Sequence, residues 1–349
     1  MTNSSTVFPA EWHPQSAVQL TWPHEDTDWR AQLDEVVPCF VAIAREVMRR
    51  ETALIVCADE REVRTQLGTF DERRAVFRQI STNDTWARDH GGITVLRDGV
   101  PEIRDFVFNG WGMKYPACHD NRITGELFKM KTFAPFVKRC DMSPFVLEGG
   151  SVESDGRGTL LTTSKCLLSH NRNTHLDRAQ VEAALKSFFG AGRVLWLEHG
   201  HLAGDDTDGH VDTLARFCDA ETIAYVQCTD EADRHFRELH AMEATLRTFR
   251  TTGGKPYRLI PLPMADPAFD DGGQLPATYA NFLIINGAVL APFYGSPKDR
   301  MAQSILQQTF PGREIVGIDC TALIRQHGSL HCVTMQYPVE AAIRPTGHK

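Results

Sequence analysis

The chain has 349 residues, 42% of them hydrophobic and 23% charged, with a formal net charge of −8. That length and apolar content can bury a sizeable core, while an acidic balance without any Lys/Arg-rich run excludes a general nucleic-acid-binding role and is compatible with a cationic substrate. Nine cysteines (39, 57, 118, 140, 166, 218, 228, 320 and 332) form no CxxC pair and no zinc-ribbon spacing, the usage of a reduced, cytosolic protein.

The polar leader Met1–Thr6 lacks a basic region followed by an apolar core, so no secretory signal is read. No window approaches the ~20 apolar residues of a membrane span, and the expectation is a soluble, cytoplasmic protein with no membrane or nucleic-acid partner. Trp12-His13-Pro14 and Thr21-Trp22-Pro23-His24 bracket a short apolar strand. A helix follows with Val36, Phe40, Ile43 and Val47 at helical spacing, then the strand Ala53–Cys57. A charged helix around Glu60–Leu67 and a second polar helix over Asp71–Arg78 come next. Strand and helix alternate, which argues for an α/β class.

Ser81–Gly92 is too polar and glycine-rich for a core strand and reads as a loop feeding the strand Ile93–Leu96. Trp86 and Asp89 in that loop are either a surface cap and a solvated acid or an aromatic face beside a carboxylate, which suits a cation. Asp105–Tyr115 reads as a strand entering a Gly/Trp-rich turn, structural or lining a cleft. Phe145–Glu148 is a short strand ending on an acid, and the glycines after it permit close backbone approach.

Thr159–Thr163 reads as a strand, Asp177–Phe189 as a helix with Thr174 as its N-cap, and Arg193–Leu197 as a strand. Between 199 and 212 lie His199, His201, Asp205, Asp206, Asp208, His210 and Asp212. These are ligand types for a metal, though the spacing matches no HExxH-like zinc pattern. If 210–217 is a strand, His210 and Asp212 share a face, which suits an acid/base beside a cation-binding carboxylate equally well. The alternation continues through a helix at Glu231–Phe249, strands Tyr257–Pro261, Tyr279–Ile285 and Val289–Pro292, a helix at 298–309 and a strand Glu314–Ile318. Asn281 and Asn286 flank one of these strands as pocket groups or turn residues. Without linker, charge block or low-complexity segment, residues 1–349 read as one domain.

Near the C-terminus, Gly328–Gln336 reads as a strand with Leu330, Cys332 and Thr334 on one face and His331, Val333 and Met335 on the other. Cys332 is then a buried apolar cysteine or a nucleophile. A nucleophilic sulfur needs an acid/base and charged groups to hold its substrate, and His210, Asp89, Asp212 and Glu148 are parts of that kind.

The stretches Asn83–Asp89, Phe108–Tyr115, Leu147–Ser151, Thr207–Asp212 and Leu330–Thr334 together resemble the agmatine deiminase (Porphyromonas-type peptidyl-arginine deiminase) family of the guanidine-modifying superfamily, with the likeness running over about 9–338. The resemblance implies a five-bladed α/β propeller (pentein) of ββαβ units around a central pocket. It implies Cys332 as nucleophile, His210 as general acid/base, Glu148 beside His210, Asp89 and Asp212 gripping a guanidinium, and Trp86 along the substrate's alkyl chain. The implied activity is hydrolysis of agmatine to N-carbamoylputrescine and ammonia in polyamine synthesis, with no metal or organic cofactor. Deimination of peptidyl-arginine, amidino transfer and metal-dependent hydrolysis are the alternatives. His90-Gly91-Gly92 stands where the family often has Thr-Gly-Pro, a departure expected to reshape the pocket rim. Lys114 and Arg122 are candidates for a substrate carboxylate.

Overall fold

Short apolar runs separated by helical segments fold into small mixed sheets, and one connectivity recurs. In the computed structural model, which describes residues 5–270 and 272–344, the polar leader's first four residues lie outside the described residues. Ala215–Asp219 and Thr222–Gln227 form an antiparallel hairpin, the helix Phe236–Thr248 crosses over, and Arg258–Pro263 returns parallel to the second strand. The same order joins Leu283–Ile285, Ala288–Phe293, the helix Lys298–Thr309 and Glu314–Asp319. It joins Val152–Ser154, Thr159–Thr163, the helix Arg178–Phe189 and Arg193–Leu197. Ile93–Arg97, Val100–Val107, the helix Ile123–Lys129 and Lys138–Val146 repeat it once more, with Thr6–Val7 on the edge. A helix suits each crossover because parallel strands cannot be joined by a tight turn.

A further sheet draws on both ends of the chain. Thr334–Pro338 runs antiparallel to Gln15–Thr21, which is parallel to Thr52–Cys57, itself parallel to Ala75–Gln79. The helix Leu33–Met48 buries Val36, Phe40, Ile43 and Val47 completely, as their spacing predicts. No helix among the described residues is long and apolar enough to cross a membrane.

The α/β reading and most strands match, and the departures have local causes. Asp71–Arg78 is not a helix: only Glu72–Arg74 makes a 3-10 turn, and Ala75–Gln79 is a strand because Val76 and Phe77 are buried beside Thr52–Cys57. Asp177, not Thr174, caps the helix Arg178–Phe189, through a reciprocal capping box with Gln180. Residues 210–217 are not one strand: Val211–Thr213 is a 3-10 turn and the strand begins at Ala215. Cys332 is not in a strand either. It sits in a turn just before Thr334–Pro338, where the His331 and Cys332 N–H groups donate to Asn281 Oδ1 at 2.9 and 3.4 Å, and Thr334 N–H folds back onto His331 O at 3.1 Å.

Behind that turn is a buried ionic centre. The Arg216 guanidinium donates to Glu153 and, at 2.8 Å, to Glu11, and to the carbonyl oxygens of Phe282 at 2.6 Å and Ala280 at 3.3 Å. Removing one partner of such a group is costly because the remaining charges stay buried. Arg216→Met is expected to destabilise the fold by about 3–5 kcal/mol, read as a lower urea midpoint with an unchanged m-value; a wild-type midpoint would contradict this.

Candidate active site

Three loops meet over a glycine. Asp89 lies in the one-turn helix Ala87–His90, Glu148 follows the strand Lys138–Val146, and His210 immediately precedes the turn Val211–Thr213 that contains Asp212. A Cβ placed on Gly150 falls 2.7 Å from His210 Nδ1, 2.8 Å from Asp89 Oδ1 and 3.0 Å from Asp212 Oδ2. Only a glycine lets the three side chains converge there. Arg88 N–H donates to Cys332 O at 3.1 Å, which stitches the acidic loop to the cysteine turn.

The two aspartates are held differently. Asp89 accepts the Trp111 indole N–H on Oδ2 at 2.9 Å and the Gly150 N–H on Oδ1 at 3.0 Å, with His210 Nδ1 3.5 Å from Oδ1. Trp111 reaches it from a left-handed turn, its own φ being 54° and that of Met113 65°, a conformation that costs backbone energy outside glycine. Asp212 Oδ2 faces His331 Nδ1 at 2.7 Å, while its Oδ1 is buried without a hydrogen-bond partner. Glu148 is fully buried and takes the Arg172 Nε–H on both oxygens, at 2.9 and 3.0 Å; Arg172 also reaches Asp208 at 2.7 Å.

Asp89, Trp86 and Cys332 line one cleft, which encloses about 640 Å³ of empty space counted to its mouth; Asp28, Asp84 and Asp206 lie along it. The Trp86 N–H donates to Asp84 Oδ2 at 2.9 Å, and its ring lies against Gly328, where a Cβ would come within 2.0 Å. Of the six residues singled out from the sequence, Trp86, Asp89 and Cys332 line this cleft, His210 and Asp212 meet Asp89 around Gly150, and Glu148 has a carboxylate oxygen within 4.8 Å of a His210 ring nitrogen.

Charge and burial set the protonation pattern. Burial pushes the Asp89 carboxyl up to about 6, against the pull of the His210 imidazole and with the push of Asp212. Burial raises Asp212 too, but the hydrogen bond and charge of His331 outweigh it and hold the carboxyl below its ordinary value. Burial disfavours a charged His210, and Asp89 with the neighbouring Cys166 and Glu148 more than compensates, so its pKa stands well above the usual imidazole value. Burial raises the Cys332 thiol well above its ordinary value, and the charges of Asp212 and Asp89 raise it further. A cation seated between the two carboxylates reverses that last effect.

Other expectations are redistributed. Lys114 is held by Asp206 O at 2.5 Å and Asp208 at 2.9 Å, and Arg122 is exposed beside Glu126 at 3.7 Å. None of His90, Gly91 and Gly92 lines the cleft. His90 is buried against Thr21 Oγ1 at 3.2 Å, and a Cβ on Gly92 would meet Ile103 at 2.4 Å, so the departure from the family pattern is a matter of core packing and not of the rim. The 199–212 run does not gather as a ligand set: His199 faces Glu238, His201 faces Lys165, and Asp205 caps its own loop at Thr207 and Gly209. Groups that could hold a metal are Glu148 with Cys166 and His210, and Glu11 with Glu153 and His331, each set having its ligand atoms within 4.8 Å of one another. Arg172 and Arg216 already put positive charge on those carboxylates.

Asn281, Arg172, Trp111 and Cys166 complete the surroundings. Asn281 Oδ1 lies 3.4 Å from Cys332 Sγ and accepts from two backbone N–H groups. Its place beside an apolar strand was the only signal for it, and nothing local marks Arg172 or Cys166. Alkylation of the free protein by iodoacetamide, followed on the Cys332 peptide by mass spectrometry, is expected to be slow at pH 7 and still rising beyond pH 9. Asp212→Asn should speed it severalfold at pH 8 by removing a charge that opposes the thiolate. A plateau below pH 8 would contradict this electrostatic picture.

Comparison with known proteins agrees in family. The model of the Porphyromonas-type peptidyl-arginine deiminase family matches residues 7–338. The agmatine deiminase of Pseudomonas aeruginosa is 31% identical over 95% of each chain. A presumed arginine deiminase from Porphyromonas gingivalis superposes with a TM-score of 0.94 at 55% identity, covering 97% of this chain and 100% of that one. A cysteine-to-serine variant of the C. jejuni agmatine deiminase, solved with substrate bound, superposes with a TM-score of 0.88 at 36% identity, covering 97% of each. The chain belongs to the Porphyromonas-type peptidyl-arginine deiminase family, hydrolases acting on C–N bonds.

Proposed function

We propose that the protein is an agmatine deiminase, converting agmatine and water to N-carbamoylputrescine and ammonia, as a step toward putrescine and polyamines. The observation that carries this is the pair of buried carboxylates, Asp89 and Asp212, beside the Cys332 sulfur, with the one open oxygen on Asp212. A guanidinium is resonance-stabilised and a poor electrophile, so it must be aligned and kept cationic. Two carboxylates do both through charge-assisted N–H···O bonds. Its positive charge then favours the Cys332 thiolate, the thiol proton passing to solvent, and the sulfur attacks the central carbon. His210, charged in the resting site, donates its proton as the C–N bond breaks and ammonia leaves, giving a thiouronium on Cys332. Water then attacks that carbon and His210 takes one of its protons; the C–S bond breaks as the second proton passes to the departing sulfur, releasing the ureido product and restoring the Cys332 thiol and the charged His210. Glu148 lies beside His210 and supports its charge, and Trp86 flanks the alkyl chain.

The tail preference follows from the cleft. Asp28, Asp84 and Asp206 line it, and Lys114 is already committed to Asp206 and Asp208, an environment suited to a terminal amine. Peptidyl-arginine is the second reading, favoured by Arg325 on the cleft wall, although Glu35 holds that guanidinium at 2.8 Å.

The fold proposed is a single domain, the five-bladed α/β propeller, supported by the recurring hairpin–helix–parallel-strand unit and by the sheet shared between the chain's two ends. Nine cysteines, none in a disulfide, support action in the cytoplasm, and the chemistry needs neither metal nor organic cofactor.

Incubation with agmatine, free arginine and an arginyl peptide, read by ureido product, is expected to show agmatine preferred by at least about tenfold in kcat/KM; a preference for the peptide would replace the first reading by the second. Cys332→Ser should nearly abolish turnover with its melting curve intact. Gly150→Ala should lower kcat by about 100-fold, since its methyl group displaces His210 and both aspartates. Because Asp89 is ionised only above about 6, kcat/KM should fall as the pH drops through that value.

A further inference from the structure

We propose that His331 is a positioning residue, its imidazole bridging Asp212 to Glu11 so that one Asp212 oxygen is turned out for the substrate cation. This rests on the reading that Asp212 binds the guanidinium. The ring, 2% exposed, places Nδ1 2.7 Å from Asp212 Oδ2 and Nε2 2.6 Å from Glu11 Oε2. Each ring nitrogen faces a carboxylate, so the imidazole spans the gap between Asp212 and Glu11. Glu11 is in turn anchored by Arg216 at 2.8 Å and by the Ile284 N–H at 2.6 Å, and Arg216 comes within 3.0 Å of His331 Nε2. The backbone under the ring is fixed by its N–H donating to Asn281.

The bridge leaves Asp212 in an unusual condition. Oδ2 is taken, and Oδ1 is buried with no partner, a state that costs free energy until a cation arrives. The groups acting on Asp212 are His331, His210, Arg216 and Arg88, which favour its charge, and Asp89 and Cys332, which are themselves opposed by it. His331 is the side chain that hydrogen-bonds its carboxylate. The ring therefore sets both the rotation of the carboxylate and its ionisation. Without it, two buried aspartates share one cation site with less to keep the second ionised, and the pair binds protons at higher pH. Glu11 and Glu153 face the same centre from behind, so the effect reaches the cleft through Arg216 and His331.

The test compares wild type, His331→Asn, His331→Gln, Glu11→Gln and Asp212→Asn in KM, kcat and the pH profile of kcat/KM, using whichever of agmatine or the arginyl peptide is turned over. An Asn amide reaches the place of Nδ1 and keeps a donor for Asp212, whereas a Gln amide reaches the place of Nε2 and faces Glu11. Expected for His331→Gln are a KM about tenfold higher and an acid limb displaced upward by about one pH unit. His331→Asn should retain a KM within about threefold of wild type, and Glu11→Gln should move the limb in the same direction by less. A folded Gln variant with wild-type KM and limb, or Asn and Gln variants that behave alike, would overturn the proposal. Should the Gln variant not fold, an unmoved limb in Glu11→Gln overturns it as well. An Asp212→Asn protein with wild-type KM would overturn the guanidinium reading itself; lost binding there, with unaltered His331 variants, would sink the bridge alone.

Discussion

Two carboxylates buried side by side repel one another and have lost most of their hydration. Everything around Asp89 and Asp212 answers that problem. Trp111 and the Gly150 N–H occupy Asp89, His331 occupies one oxygen of Asp212, and His210 sits charged against Asp89. The compensation stops one hydrogen bond short, at Asp212 Oδ1. A site left with that residual negative charge is pre-organised for a cation, which is the role proposed for the pair.

The same charge governs the Cys332 thiol, the proposed nucleophile. Cys332 is buried and faces both aspartates, so its thiol is held protonated until the field is cancelled. A resting thiolate in an exposed cleft would invite oxidation or alkylation. In the proposed mechanism, activation waits for the substrate's own charge, which couples binding to reactivity. In the proposed mechanism His210 has the complementary task, and Asp89, assigned there to the substrate cation, also favours its imidazolium.

Support for this arrangement comes from deeper layers. The Arg216 centre with Glu11 and Glu153 lies behind the His331 turn, and Arg172 clamps Glu148 while bridging to Asp208. The strained Gly110–Met113 turn exists to bring an indole N–H to Asp89. Stability is thus spent on geometry in the loops, while the repeated hairpin–helix–strand units supply the rigid walls that carry them.

By itself the sequence determined the alternation of strand and helix, because apolar periodicity reports which faces are buried. The helix Lys298–Thr309 and the strand Thr159–Thr163 were legible to the residue. It also carried the family likeness, since Cys332, His210, Glu148 and the aspartates lie in the short stretches that resemble it. Tertiary structure alone decided how those groups are presented. Val76 and Phe77 became a strand because a neighbour was there to pair with, and Cys332 left the ladder because Asn281, about fifty residues away, took its backbone donors. Asn281, Arg172 and His331 act across long separations, and no local pattern encodes a hydrogen bond between distant loops. His90-Gly91-Gly92 makes the same point in reverse, since residues adjacent to Asp89 in sequence turn into the core. Periodicity records burial, whereas the partner of a buried polar group is chosen only when the sheets assemble.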